Sequence, residues 1–189
     1  MAISVEQLKL MARIGGAYRK EQEVVEYVDI AFGDPATGYN GYEVSPASLD
    51  QLFVIRFSLA ASAAASFNFK TGVASGPLTA MKDYWGEAIG MVNIKGMLVK
   101  NHSDNPFAMS AGASPPNATA ASIKVHGEML DDALNCATDS PEMTLLAGEM
   151  TLLGFTITPT ADPDGELEIT NLSGSEIAYV DLIAVGKKA

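Results

Sequence analysis

Between Met150 and Val185 three short runs, MTLLGFTIT, ELEITN and IAYVDLIAV, are rich in β-branched, aromatic and aliphatic residues and are separated by the turn sequences PTADPDG and LSGSE. Such runs are too short for independent helices and have the composition that packs on a pleated surface. They predict a closing antiparallel meander, and they commit this end of the chain to β structure.

Similar signals recur upstream. EVVEYVDIAF over 23–32 leads into Gly33-Asp34-Pro35 and reads as a strand leaving into a turn, and LFVIRFSL over 52–59 reads as another. Phe67 to Gly72 alternates, flanking an Ala/Ser-rich connection that could instead be a short helix. Val92 to Val99 reads as a strand broken or bulged at Gly96, and Ser122 to Leu130 begins as one, with Ile123 and Val125 on one face and Lys124 and His126 on the other. Two loops, 37–48 and 101–117, are dense in Gly, Asn, Pro and Ser. At the start, Ser4 and Gln7 resemble a capping box, and Val5, Leu8, Met11, Ala12 and Ile14 have helical spacing that ends at Gly15-Gly16. The expectation is a mainly β protein. It is an antiparallel β-sandwich or jelly roll with a short N-terminal helix, divided into a helical arm over 1–20 and a single sandwich domain over 21–189.

Composition limits the partners. Twelve Lys and Arg against 23 Asp and Glu give a net charge of −11, with no basic cluster larger than Arg19-Lys20 or Lys187-Lys188. Nucleic acids and anionic membranes are therefore not expected partners, because both are held by clustered cations. Hydrophobic residues make up 48% and charged residues 19%, so long charged side chains are scarce and the surface has the character of one that packs against protein. No apolar run reaches the ~20 residues of a membrane span, and the N-terminal segment lacks the pattern of a secretory signal. The single cysteine, Cys136, fits synthesis in a reducing compartment.

No catalytic, cofactor or metal site is expected. Cys136 has no histidine linked to it by a motif, and no phosphate loop, zinc spacing or nucleophile elbow occurs. Asp162-Pro163-Asp164-Gly165-Glu166 superficially resembles a calcium loop but runs at once into an alternating strand, so a turn explains it better. The acidic groups around Asp131-Asp132, Asp139 and Glu142, and at Glu21, Glu23 and Glu26, read as solvated charge. The aromatic residues Tyr39, Tyr42, Tyr84 and Trp85 fall in expected loops and form the candidate platform for a sugar ring or a protein partner.

The acidic chain, its N-terminal segment AISVEQLKLMARIGG, the connections AASAAAS and SAGASPPNATAAS, and the closing ELEITNLSGSEIAYVDLIAV together make it similar to small structural proteins of tailed bacteriophages. The resemblance is to jelly-roll or sandwich-type capsid decoration (cement) proteins. It implies a non-enzymatic virion component, made in the host cytoplasm, that forms a homo-oligomer, commonly a trimer, and binds a capsid lattice protein. The N-terminal segment and long loops would grip the lattice or a neighbouring copy. The competing expectation is a carbohydrate-binding or adhesin-like sandwich that uses the four aromatic residues.

Overall fold

The computed structural model describes residues 3–5, 8–10, 13–20, 27–31, 42–44, 50–106, 114, 116–134, 141–153, 157–161 and 166–189. At the N-terminal end five strands, β1 (Ile3–Val5), β2 (Leu8–Leu10), β3 (Arg13–Lys20), β4 (Tyr27–Ala31) and β5 (Tyr42–Val44), form one antiparallel sheet in which β3 pairs with β1, β2 and β4, and β2 with β5. The expected N-terminal helix is therefore replaced by strands. Leu8, Ala12 and Ile14 of the helical set also alternate, and a helix stopped at Gly15-Gly16, where each glycine would cost roughly 1 kcal/mol relative to alanine, is short. Pairing along β3 decides between the two.

The rest of the chain is a two-sheet sandwich built from β6 (Gln51–Leu59), β7 (Ala64–Asn68), β8 (Val73–Ser75), β9 (Met91–Asn101), β10 (Ile123–His126), β11 (Met143–Leu145), β12 (Met150–Leu153), β13 (Glu166–Asn171) and β14 (Ala178–Lys188), with one helix, α1 (Glu128–Leu134). Its antiparallel pairs are nested: β6 with β14, β7 with β13, β9 with β12, and β10 with β11. The sheets run β12–β9–β14–β6 and β11–β10–β13–β7–β8. Folding a long hairpin of this kind over itself gives the jelly roll, here with β8 added at one edge.

The three C-terminal strands exist, but they do not form the expected meander. β12 and β14 lie in one sheet on either side of β9, and β13 lies in the other. The reason is visible in the sequence. ELEITN alternates buried with half-buried positions, whereas AYVDLIAVG is buried at every position on both faces and so takes the centre of its sheet, between β9 and β6. β7 also starts earlier than expected, at Ala64, and stops at Asn68. There the side-chain Oδ1 accepts the Lys70 and Thr71 N–H groups at 3.0 Å each and turns the chain. The bulge expected near Gly96 is present, with Gly96 opposite Val185 but Ile94 opposite Gly186.

The core fills the space between the sheets. Phe53 and Phe57 of β6 meet Phe67 and Phe69, with ring centroids 5.5–6.2 Å apart. Met97 and Val99 of β9, Val180 and Leu182 of β14, and Leu167 and Ile169 of β13 complete it. Tilted and edge-on ring pairs of this kind each contribute roughly 0.5–1.5 kcal/mol beyond the area they bury. Two buried asparagines close the ends of the sandwich. Asn101 Nδ2 donates to the carbonyls of Ala121 (2.8 Å) and Leu145 (3.0 Å), while its Oδ1 accepts from the Ser103 hydroxyl at 2.6 Å and the Ser103 N–H at 3.1 Å. Asn171 Nδ2 lies within hydrogen-bond distance of the Leu59, Ala60 and Glu176 carbonyls.

A second buried apolar surface lies on the other side of the β6–β14–β9 sheet. Leu52, Leu98, Ile183 and Val185 alternate with the core positions, so they point away from the sandwich interior, yet each is 2% exposed or less. Among the described residues no helix is long and apolar enough to cross a membrane.

Candidate functional site

The segment between β8 and β9 presents Tyr84 and Trp85 at the start of a tight turn. It is pinned from below by the buried side chains of Met81 and Ile89, and by backbone bonds from Met81 N–H to the Gly72 carbonyl (2.8 Å) and from Tyr84 N–H to the Leu52 carbonyl (2.8 Å). Gly72 has a φ of +70°, and a Cβ there would stand 2.6 Å from the Ile89 carbonyl oxygen, so only glycine fits. Gln51 clamps the far end, donating from Nε2 to the Ala88 carbonyl at 2.9 Å and accepting the Gly90 N–H at 3.0 Å. The two rings sit edge to face with centroids 5.7 Å apart, Tyr84 42% exposed and Trp85 half-buried.

Asp83 organises the turn. Its Oδ1 accepts the N–H groups of Glu87 (2.8 Å) and Trp85 (3.0 Å), its own N–H donates to the Glu87 carbonyl, and its carbonyl accepts the Gly86 N–H. The other oxygen, Oδ2, is buried without a hydrogen-bond partner. Burial pushes the Asp83 carboxyl above the ordinary carboxylate range, outweighing the two N–H groups that pull it down; the Glu87 charge raises it further and Lys188 lowers it. Lys188 pairs with Glu87 at 2.8 Å, which holds its ammonium above the ordinary lysine value and ties the turn to the end of β14.

The four aromatic residues singled out in the sequence are distributed unequally. Tyr84 and Trp85 are brought together. Tyr42 opens β5 in the N-terminal sheet, opposite Leu10, and Tyr39 lies outside the described residues. Cys136, Asp139 and the Asp162 to Gly165 run also lie outside them, and Asp131-Asp132 fall within α1.

Reading the sequence missed an ionic cluster on the outward face of the β6–β14–β9 sheet. Asp181 of β14, with a side chain only 3% exposed, meets His102 Nε2 through Oδ2 at 2.7 Å and Arg56 Nε through Oδ1 at 3.1 Å. The Arg56 contact is an ion pair and not an aligned hydrogen bond. Lys100 is the cross-strand neighbour of Asp181 on β9. The available signal was a single charge in the middle of each apolar run, Arg in LFVIRFSL and Asp in AYVDLIAV. Antiparallel pairing sets these two residues directly opposite each other.

The other histidine, His126, lies between Glu168 (3.3 Å) and Thr170 (2.9 Å) on the neighbouring strand β13. Lys124 binds Glu142 at 2.6 Å, and this hydrogen bond holds the Glu142 carboxyl below its ordinary value. Among the described residues no group of three or more His, Cys, Asp or Glu side chains is placed to hold a metal ion. No protein-family model matches the sequence, and no curated protein or solved structure is detectably similar to it.

Proposed function

We propose that this protein is a non-enzymatic structural subunit of a virus particle, a decoration or cement protein that reinforces a bacteriophage head through protein–protein contacts. The observation that carries the reading is the character of one sheet edge. Among the described strands β12 pairs only with β9, so its other backbone edge has no strand partner there. Its sequence MTLL contains no Lys or Pro to blunt that edge, and Met150 and Leu152 are each 37% exposed beside Leu146 at 57%. An apolar edge of this kind on a chain with 19% charged residues supports the reading, because such surfaces are ones through which proteins associate. The jelly roll agrees with this, since capsid domains use it, but lectins and cupins use it as well, so the fold alone does not assign the role. The reading implies a homo-oligomer, a capsid lattice protein as partner and residence in the virion.

Light scattering coupled to size exclusion tests it first. A trimer or larger closed assembly that dissociates on Leu152→Lys supports the proposal, and a strict monomer at high concentration counts against it.

The Tyr84–Trp85 pair supports a second reading, a carbohydrate-binding module. Its rings are presented on a turn fixed by Asp83 and Gln51, and edge-to-face aromatic pairs offer a rigid surface on which a sugar ring stacks. Selective glycan binding that disappears in Trp85→Ala favours this reading. A flat response across glycans removes it.

A further inference from the structure

We infer that the outward face of the β6–β14–β9 sheet is the docking surface for the chain's own N-terminal sheet, which makes the molecule a three-layer structure and not a sandwich with a free arm. Three independent observations lead there.

The first is that Leu52, Leu98, Ile183 and Val185 point away from the sandwich core and are nevertheless almost fully buried. They form a contiguous patch. Ile183 stands opposite Leu98 on β9 and Val54 on β6, and Val185 stands opposite Leu52. The patch opens to solvent at its margins, at Leu152 opposite Leu98 on β12 and at the half-buried Val54 on β6.

The second is the register of the N-terminal sheet. Residues directly opposite one another in an antiparallel pair occupy the same face. Leu8 is paired with Val44, Leu10 with both Tyr42 and Ile14, and Ile14 with Ile30, so one face is apolar at each of these positions. The intervening positions pair Lys9 with Glu43, Lys9 with Gly15, and Gly15 with Asp29, so the other face carries charged residues or glycine at each of these positions. A sheet divided in this way is stable in water only when its apolar face is covered.

The third is chain continuity. β5 ends at Val44 and β6 begins at Gln51, so the connection can span no more than about 20 Å. Asp50 N–H donates to the Gly186 carbonyl at 3.1 Å, which fixes the point of entry next to Val185 and Leu52, at one end of the patch. Two apolar sheet faces within that reach bury each other at a separation of ~10 Å.

Site-specific photo-crosslinking on the full chain tests the inference, with p-benzoylphenylalanine in place of Val54, a half-buried position on the outward face. The expected result is an adduct at monomer mass whose crosslinked peptide comes from residues 1–49. Adducts confined to residues 50–189 overturn the inference, as does an adduct to 1–49 found only at dimer mass, which would mean that a second copy supplies the sheet. As an independent readout, Val185→Cys in a Cys136→Ser background is expected to react with a thiol reagent about tenfold faster when Ile30→Asp places a charge on the apolar face, while Phe57→Cys in the core stays protected. An unchanged Val185→Cys rate overturns the inference. Equal acceleration of both cysteines would mean that the variant unfolds, and the crosslink then decides.

Discussion

His102 and Asp181, 79 residues apart in sequence, are joined by a 2.7 Å contact between Nε2 and Oδ2 that fastens the segment leaving β9 to the middle strand of the same sheet. The backbone reinforces it, with His102 N–H donating to the Tyr179 carbonyl at 2.7 Å and Tyr179 N–H donating to Ser103 Oγ at 3.2 Å. A carboxylate this deeply buried is tolerated only with its partners in place, because an unpaired buried charge costs several kcal/mol.

His102→Ala, which removes the 2.7 Å partner of Asp181 Oδ2, is therefore expected to lower stability by about 2–4 kcal/mol. Arg56→Ala is expected to cost about 1 kcal/mol or less, since that guanidinium is largely solvated. Urea unfolding of both single variants and of Asp181→Leu reports this ordering. A smaller loss for Asp181→Leu than for His102→Ala would show that the penalty comes from stranding the charge and not from losing the pair.

Asn101 gives a comparable expectation on different chemistry. Its side chain bonds the Ala121 and Leu145 carbonyls and the Ser103 hydroxyl and N–H, so Asn101→Ala strands four buried groups at once. The expected loss is about 2–4 kcal/mol by denaturant unfolding. Asn117, an exposed asparagine, serves as the neutral control.

Asp83 predicts a pH dependence. Its folded carboxyl is raised above the unfolded value, so folding favours the protonated form. Its contribution is fully present below the ordinary carboxylate range and is lost as pH rises through the raised folded value. Asp83→Asn keeps an oxygen for the Trp85 and Glu87 N–H groups and removes the titration. Relative to the wild type, the variant should therefore gain stability on going from pH 4 to pH 7, read as the difference in urea midpoints at the two values. Glu142 runs the other way: Lys124 lowers its carboxyl, so the stability it contributes is present above its unfolded value and is lost as pH falls through its folded value.

Gly127 ends β10 with a φ of +111°, and a Cβ on it would stand 2.3 Å from the Glu166 carbonyl oxygen of β13. Gly127→Ala combines an unfavourable backbone conformation with a clash and is expected to cost about 2–3 kcal/mol. Hydrogen exchange of the β10–β13 amides should localise the damage.

Much of the sandwich could be read from local pattern. ELEITN and LFVIRFSL became strands nearly to the residue, and Gly96 marked the bulge, because alternation and glycine placement are local properties. The meander did not follow, because which sheet a strand joins depends on both of its faces. Only the two-sided apolarity of AYVDLIAV, set against the one-sided pattern of ELEITN, held that information. The N-terminal helix failed where Leu8, Ala12 and Ile14 fit both periods and long-range pairing decides. At the candidate sites, Tyr84 and Trp85 were visible as aromatic neighbours, whereas the partners of Asp181 come from β6 and from beyond β9, distances no sequence window spans.

The nested pairing of β6 with β14 has a consequence for synthesis. β14 follows the other described strands in sequence and lies between β9 and β6 in its sheet, so those two strands have no partner between them until β14 has been made. Until then their Phe53, Phe57, Met97 and Val99 side chains lack the core that Val180 and Leu182 of β14 contribute. Folding of this sheet is thus late and dominated by long-range contacts, and before β14 arrives the nascent chain is open to chaperones and to the strands of other copies.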